Sequence, residues 1–204
     1  ITATEQGAGR RRKARSGTRM DRIGTSPRIV GLGNALVDVV ASVDKEAIGR
    51  HGLTHGGMHL VEATAAEALY EEVGPGVRQS GGSVANSIAH IRAEGIACTY
   101  VGKVANDDLG AAFRMDFAEL GIDFPAPPLE NGIGTGRCVV LVTPDGERTM
   151  STFLGAAQSL TAYDVVAAMP AEFGVLFVEG YLWDSPEGAA AIEAAAGRAK
   201  EAGA

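Results

Sequence analysis

Along the chain, short apolar runs alternate with stretches whose apolar residues recur every three or four positions. RIVGLGN (28–34) is a brief apolar run closed by glycines and predicts a buried first strand. DVVASV (38–43) reads as extended and GGMHLV (56–61) as another short strand. Thr64 and Glu67 stand in a capping-box spacing that predicts a helix through Leu69, Tyr70 and Val73. A second helix is expected from Ser83 to Gly95, with Val84, Ile88 and Ile91 on one face. ACTYVGKV (97–104) predicts a strand. A third helix is expected from Asp107 to Leu120, with Leu109, Phe113, Phe117 and Leu120 on its apolar side and Gly121 ending it.

After the proline-rich connector FPAPPLE (124–130), residues 137–153 read as a β-hairpin. Pro144 suits the second turn position, and Asp145-Gly146 supplies the turn chemistry. Thr161 with Asp164 opens a short helix, VLFVEGYLW (175–183) is an apolar strand, and Ser185-Pro186-Glu187 starts an alanine-rich helix. Strands alternating with helices predict an α/β fold with a mainly parallel sheet. The hairpin pieces break the alternation and suggest a small β-rich lid. The last helix would ordinarily lead back to a further strand, so the fold reads as unfinished.

Charge divides the chain. Net charge is -7 over 204 residues, yet residues 1–28 hold eight basic and two acidic side chains, leaving 10 basic and 23 acidic for the remainder. The acidic body argues against a general nucleic-acid surface. Residues 1–27, with RRRKAR at their centre, lack apolar periodicity and are expected to be a disordered extension, or part of an over-extended reading frame whose true start is Met20. No apolar run is long enough to cross a bilayer. Cys98 and Cys138 are far apart and outside any metal spacing, which suits reduced thiols in the cytoplasm. His51, His55, His59 and His90 show no metal-ligand spacing.

Gly31-Leu32-Gly33 after a strand invites a dinucleotide reading. Leu36 stands where the third glycine belongs, and an extended segment follows where a helix is required, so that reading is disfavoured. Asn34 and Asp38 follow the first strand, where open α/β sheets place ligands. A carboxylate there can accept hydrogen bonds from two sugar hydroxyls, or it can stabilise a turn. In GGSVANSIAH (81–90), glycines before a helix start let backbone N–H groups reach a ligand, with Asn86 adding a donor and an acceptor. A tight turn explains the same glycines. Glu179 would be a costly buried acid unless paired, and no role is assigned to it.

Taken in order, GLGNALVD, GGSVAN, VGKVANDDLG, TGRCVVLVTPDGERT and EGYLW resemble the PfkB family of sugar and nucleoside kinases, with the ribokinase-like fold, from about Arg28 to the end. Gly102, Asp107 and Gly110 match a family GxxxxDxxG pattern. The resemblance, strongest to adenosine-kinase-like bacterial members, implies residues 28–204 as the N-terminal portion of the kinase domain, with lid strands within about 38–61 and 135–154. It implies substrate binding by Asn34, Asp38, Gly81, Gly82, Asn86 and Arg148, and base stacking by Tyr181 or Leu182.

The resemblance further implies transfer of a phosphoryl group from ATP, with Mg2+, to a primary hydroxyl, adenosine being the favoured acceptor. The family's catalytic base lies in a GAGD stretch that these 204 residues do not contain, so the chain is expected to bind substrate without turnover, its main ATP and Mg2+ sites lying elsewhere. The alternative is a non-catalytic sugar- or nucleoside-binding or oligomerising protein. The family also implies a possible homodimer through the lid.

Overall fold

The computed structural model describes residues 27–74, 76–130 and 132–204. The expected basic extension lies outside these residues, apart from Pro27. Three parallel strands, β1 (Ile29–Leu32), β5 (Cys98–Val101) and β8 (Val175–Val178), form one sheet in the order β5-β1-β8. β1 and β5 are short and apolar because both faces are covered, whereas β8 leaves Val175 and Phe177 43% and 40% exposed on one face.

On one face lie α5 (Ala162–Ala168) and α6 (Pro186–Ala202), which bury Val165, Ala191 and Ala195 against Val30, Leu32 and Val101. On the other lie α3 (Ser83–Ala93) and α4 (Asp108–Glu119), where Val84, Ile88, Phe113 and Phe117 close around Tyr100. Gly31 serves this packing: a Cβ there would stand 2.5 Å from Ile88 Cγ1. The G-L-G run therefore admits α3 onto β1, and the segment that follows it is the strand Leu36–Ser42 rather than a helix.

Five further strands form a second sheet, the lid sheet, which takes in the segments expected as lid strands and β4 besides: β2 (Leu36–Ser42), β3 (Met58–Leu60), β4 (Val77–Gly81), β6 (Gly136–Val142) and β7 (Arg148–Phe153), in the order β3-β7-β6-β2-β4. β6 and β7 are the expected hairpin. Gly146 N donates to Thr143 O across the turn with Pro144 in the second position, and Asp145 Oδ1 accepts from the Thr143 hydroxyl and Glu147 N. One face of the lid is closed by α1 (Lys45–Arg50) and α2 (Ala63–Val73), which bury Ile48 and Leu69 on Val39, Val139 and Leu141. The other face is open.

Four local expectations are corrected. Glu62, not Thr64, is the N-cap of α2, with no side-chain cap: the helix already starts at Ala63, so Thr64 lies inside it, and Glu67 pairs with Arg137 instead. The apolar run 175–183 is a strand only to Val178, and Gly180–Asp184 turn as a 3-10 helix that tucks Leu182 into the core. Leu120 ends its helix 45% exposed, off the apolar stripe. Asp38 lies within β2 and caps no turn. The capping box of Thr161 with Asp164 and the Ser185 cap before Pro186 are present as read. Strand β4 and helix α1 carried no apolar signal: VRQSG is mostly exposed, and α1 is six residues held by its Asp44 cap.

Candidate functional site

The site lies where the chain passes from the three-stranded sheet into the lid. It leaves β1 through residues 33–35, becomes β2, and returns from β4 through Gly82 into α3. β2 and β4 run antiparallel with Leu36 opposite Gly81 and Asp38 opposite Gln79. Registered partners project on the same face. Asp38 therefore belongs to a row across the open face that reads Leu60, Thr152, Cys138, Asp38, Gln79. Two residues further along lies a row of Met58, Met150, Val140, Val40 and Val77. Met58, Leu60 and Val77 are 52%, 61% and 68% exposed. The lid thus offers an apolar surface with one carboxylate set in it.

No donor among the described residues meets that carboxylate. Burial alone pushes Asp38 from 3.8 up to about 6. The charge is left for something else to satisfy, an arrangement found where a ligand completes a site. Beside it the Cys138 thiol is pushed up to about 11, chiefly by burial, against a hydrogen bond from the Thr152 hydroxyl and with help from the Asp38 charge.

The double glycine now has two separate reasons. A Cβ on Gly81 would overlap the Asp38 carboxylate. Gly82 has φ +104, in the region that favours glycine, and a Cβ there would overlap the carbonyl oxygen of Asn34. Gly81 leaves the acid its room. Gly82 brings the start of α3 against the hinge.

Asn34 is 5% exposed, and its backbone N and Nδ2 both donate to Glu179 Oε1, at 2.7 and 2.6 Å. The Ser83 hydroxyl donates to Glu179 Oε2 at 2.7 Å. Sequence reasoning left Glu179 without a role, because its partners lie 145 and 96 residues away. The only signal was a charged residue in an apolar strand. Tyr100 nearby is wholly buried with its hydroxyl unpartnered; burial, then the Glu179 charge, hold its phenol well above the usual range.

The other candidates are more scattered. Asn86 lies exposed on α3 and lines a groove with Ile29, His90, Val175 and Phe177. Arg148 is exposed on the open lid face, but four residues along from the Asp38 row, roughly 13 Å at about 3.3 Å per residue. Tyr181 is 62% exposed, whereas Leu182 at 4% is core, so only the tyrosine of that pair can face a ligand. Gln79 and Cys138 were missed as neighbours of Asp38, since only strand register places them on either side of it, whereas Met58 and Leu60 lie three strands away, roughly 14 Å at about 4.8 Å per strand.

Where the lid hairpin meets the body, Asp107 accepts from Gly110 N at 2.7 Å, capping α4, and from the N and hydroxyl of Thr135 at 2.8 and 2.6 Å. A cavity of about 450 Å³ opens beside it, lined by Glu67, Thr135, Arg137, Phe153, Gln158 and Ser159 among others. Among the described residues no three His, Cys, Asp or Glu side chains converge to hold a metal ion, and no helix is long and apolar enough to cross a membrane.

The pfkB family carbohydrate kinase profile matches residues 56–204. Guanosine-inosine kinase of Escherichia coli (strain K12) is 30% identical over 174 residues, 76% of this chain and 37% of that protein. Adenosine kinase of Saccharomyces cerevisiae is 29% identical over 145 residues, 67% of this chain and 42% of that one. Among solved structures, adenosine kinase from Sinorhizobium meliloti is similar with a TM-score of 0.78 and 39% identity, over 88% of this chain and 55% of that one. The chain therefore spans about half or less of the length of the relatives it matches.

Proposed function

The chain belongs to the pfkB family of carbohydrate kinases, and from that premise we propose that it forms the acceptor-binding part of an ATP-dependent nucleoside kinase, with adenosine the favoured acceptor. The observation that carries this reading is the unpartnered Asp38 carboxylate set beside an apolar row on the open lid face. A carboxylate accepts from vicinal ribose hydroxyls, and the adjoining apolar surface of Val40, Val140 and Met150 suits a flat base. A bare sugar would leave that surface wet. The adenosine and guanosine-inosine kinases among the relatives favour the same class.

Closing the lid over such an acceptor would exclude water from the primary hydroxyl. ATP, with Mg2+, supplies the transferred phosphoryl group in the intact kinase. This chain's part is to bind, orient and cover the acceptor, and we expect no turnover from it alone.

A thermal-shift panel of adenosine, inosine, ribose and fructose tests the reading. A ligand at a hundredfold its Kd adds about 2.7 kcal/mol of stability. Adenosine is expected to give the largest shift and ribose a smaller one. A larger shift with fructose than with either nucleoside would overturn the nucleoside assignment, and ATP-dependent formation of AMP from adenosine would overturn the expected lack of turnover.

The exposed Met58, Leu60 and Val77 favour one second reading, in which two copies pair through their open lid faces. Sedimentation would then show a concentration-dependent dimer that Leu60→Glu abolishes. A monomer at all concentrations would dispose of it.

A further inference from the structure

We propose that Glu179 is the hinge clamp of the lid, a positioning residue that sets where Asp38 stands relative to the body. This rests on the acceptor-site reading given above. Two of the chain's passages between body and lid are residues 33–35 and Gly82, and the Glu179 carboxylate takes hydrogen bonds at both. Oε1 accepts from Asn34 N and Nδ2 on the first passage, and Oε2 accepts from the Ser83 hydroxyl at the end of the second. Glu179 itself follows β8, on the body, and is 7% exposed. One buried side chain therefore ties the body sheet to both flanks of the β2–β4 pair that carries Asp38 and Gly81.

The surroundings are shaped for that acid. Gly33 leaves the space, since a Cβ there would stand 2.8 Å from Glu179 Oε2. An ionised carboxylate only accepts, so it also fixes the Asn34 amide: the NH2 group must face Glu179, and Oδ1 must turn away. Among the described residues no donor meets that Oδ1. The amide is thus presented as an acceptor, the polarity that a ligand hydroxyl requires. Glutamine at 179 would have one acceptor oxygen where the carboxylate has two, and would offer N–H groups to partners that are themselves donors.

Amide hydrogen exchange on the ligand-free chain, together with adenosine titration, tests the clamp. In Glu179→Gln, exchange at Asn34 and Leu36, and at Asn86 and Ser87 in the first turns of α3, should accelerate at least tenfold. Tyr100 and Phe113 in the body core should stay within twofold of the parent. Adenosine affinity should fall at least tenfold, and Asn34→Ala added to Glu179→Gln should cost little more, because both act on one device.

Ser83→Ala removes one leg only and trims an exposed hydroxyl, so it keeps the test open if Glu179→Gln does not fold. It should loosen the α3 side by about threefold and leave Asn34 protected. Unchanged exchange at both passages would overturn the proposal, as would equal loosening of Tyr100 and Phe113, the mark of a residue that merely holds the core. The exchange arm needs no ligand. If adenosine fails to bind the parent while the hinge loosens as expected, the acceptor reading falls and the clamp stands.

Discussion

Asp38→Asn is expected to abolish nucleoside binding and at the same time make the protein more stable at neutral pH. Two ribose hydroxyls on an ionised carboxylate are charge-assisted donors worth about 1.5–3 kcal/mol each, so the amide should weaken adenosine by about 100-fold or more. Stability moves the other way because the native protein holds this carboxyl at about 6 against 3.8 for the free group, through burial. Between those values the unfolded chain loses its proton first, so wild-type stability falls as pH rises from 4 towards 7. Two pKa units correspond to about 3 kcal/mol, which contact with solvent reduces to about 1–2 kcal/mol.

The substitution should therefore gain about 1–2 kcal/mol at pH 7.5 and nothing at pH 4. Urea unfolding at the two pH values, with adenosine titration alongside, reads both effects. Ligand affinity in the wild type should decline as pH drops below about 6, where the carboxylate takes up its proton. Unchanged adenosine binding in Asp38→Asn would remove Asp38 from the site. A variant no more stable than wild type at pH 7.5 would show that Asp38 has a partner in solution.

Lys103→Met carries the largest expected cost to stability. Lys103, just past β5, and Asp164, on α5, are 6% and 7% exposed and pair at 2.8 Å. Burial pushes the Asp164 carboxyl up, but the Lys103 ammonium and the N–H and hydroxyl of Thr161 outweigh it and hold the group below the usual carboxylate range. Removing the lysine leaves a buried acid short of its countercharge, a change that costs about 3–5 kcal/mol in comparable pairs.

The double substitution Lys103→Met with Asp164→Leu should recover most of that loss, less the capping box that Asp164 completes with Thr161. Urea unfolding of both variants checks the claim. A cost below about 1 kcal/mol for Lys103→Met would mean that water reaches the acid. The depressed Asp164 also contributes stability above the ordinary carboxylate range, and this is lost as pH falls, opposite in sign to Asp38.

Much was legible in the chain because it is local. Apolar runs bounded by glycine marked β1 and β5, since strands covered on both faces are apolar throughout, and the start of β8, which buries one face in the core. Ser185-Pro186-Glu187 and Thr161 with Asp164 announced two helix starts, because caps act within four residues. The order of short motifs carried the family resemblance, and the profile matched over residues 56–204 bears it out. Strand β4 was not legible: its residues are polar and half in water, and it is held by pairing with β2 and by Asp116, which accepts from Ser80 N and Oγ.

The sequence by itself determined most of the buried segments, where α3 to α6 begin, and that a glycine pair precedes α3. Only the tertiary structure decided what those glycines are for. Gly81 makes room for a carboxylate 43 positions earlier, and Gly82 for a carbonyl on the hinge. It likewise turned Glu179 from an unplaced acid into the joint between body and lid. The physical reason is common to these cases: steric room and hydrogen-bond satisfaction depend on partners that chain folding brings together, and sequence spacing carries no record of distances across a sheet.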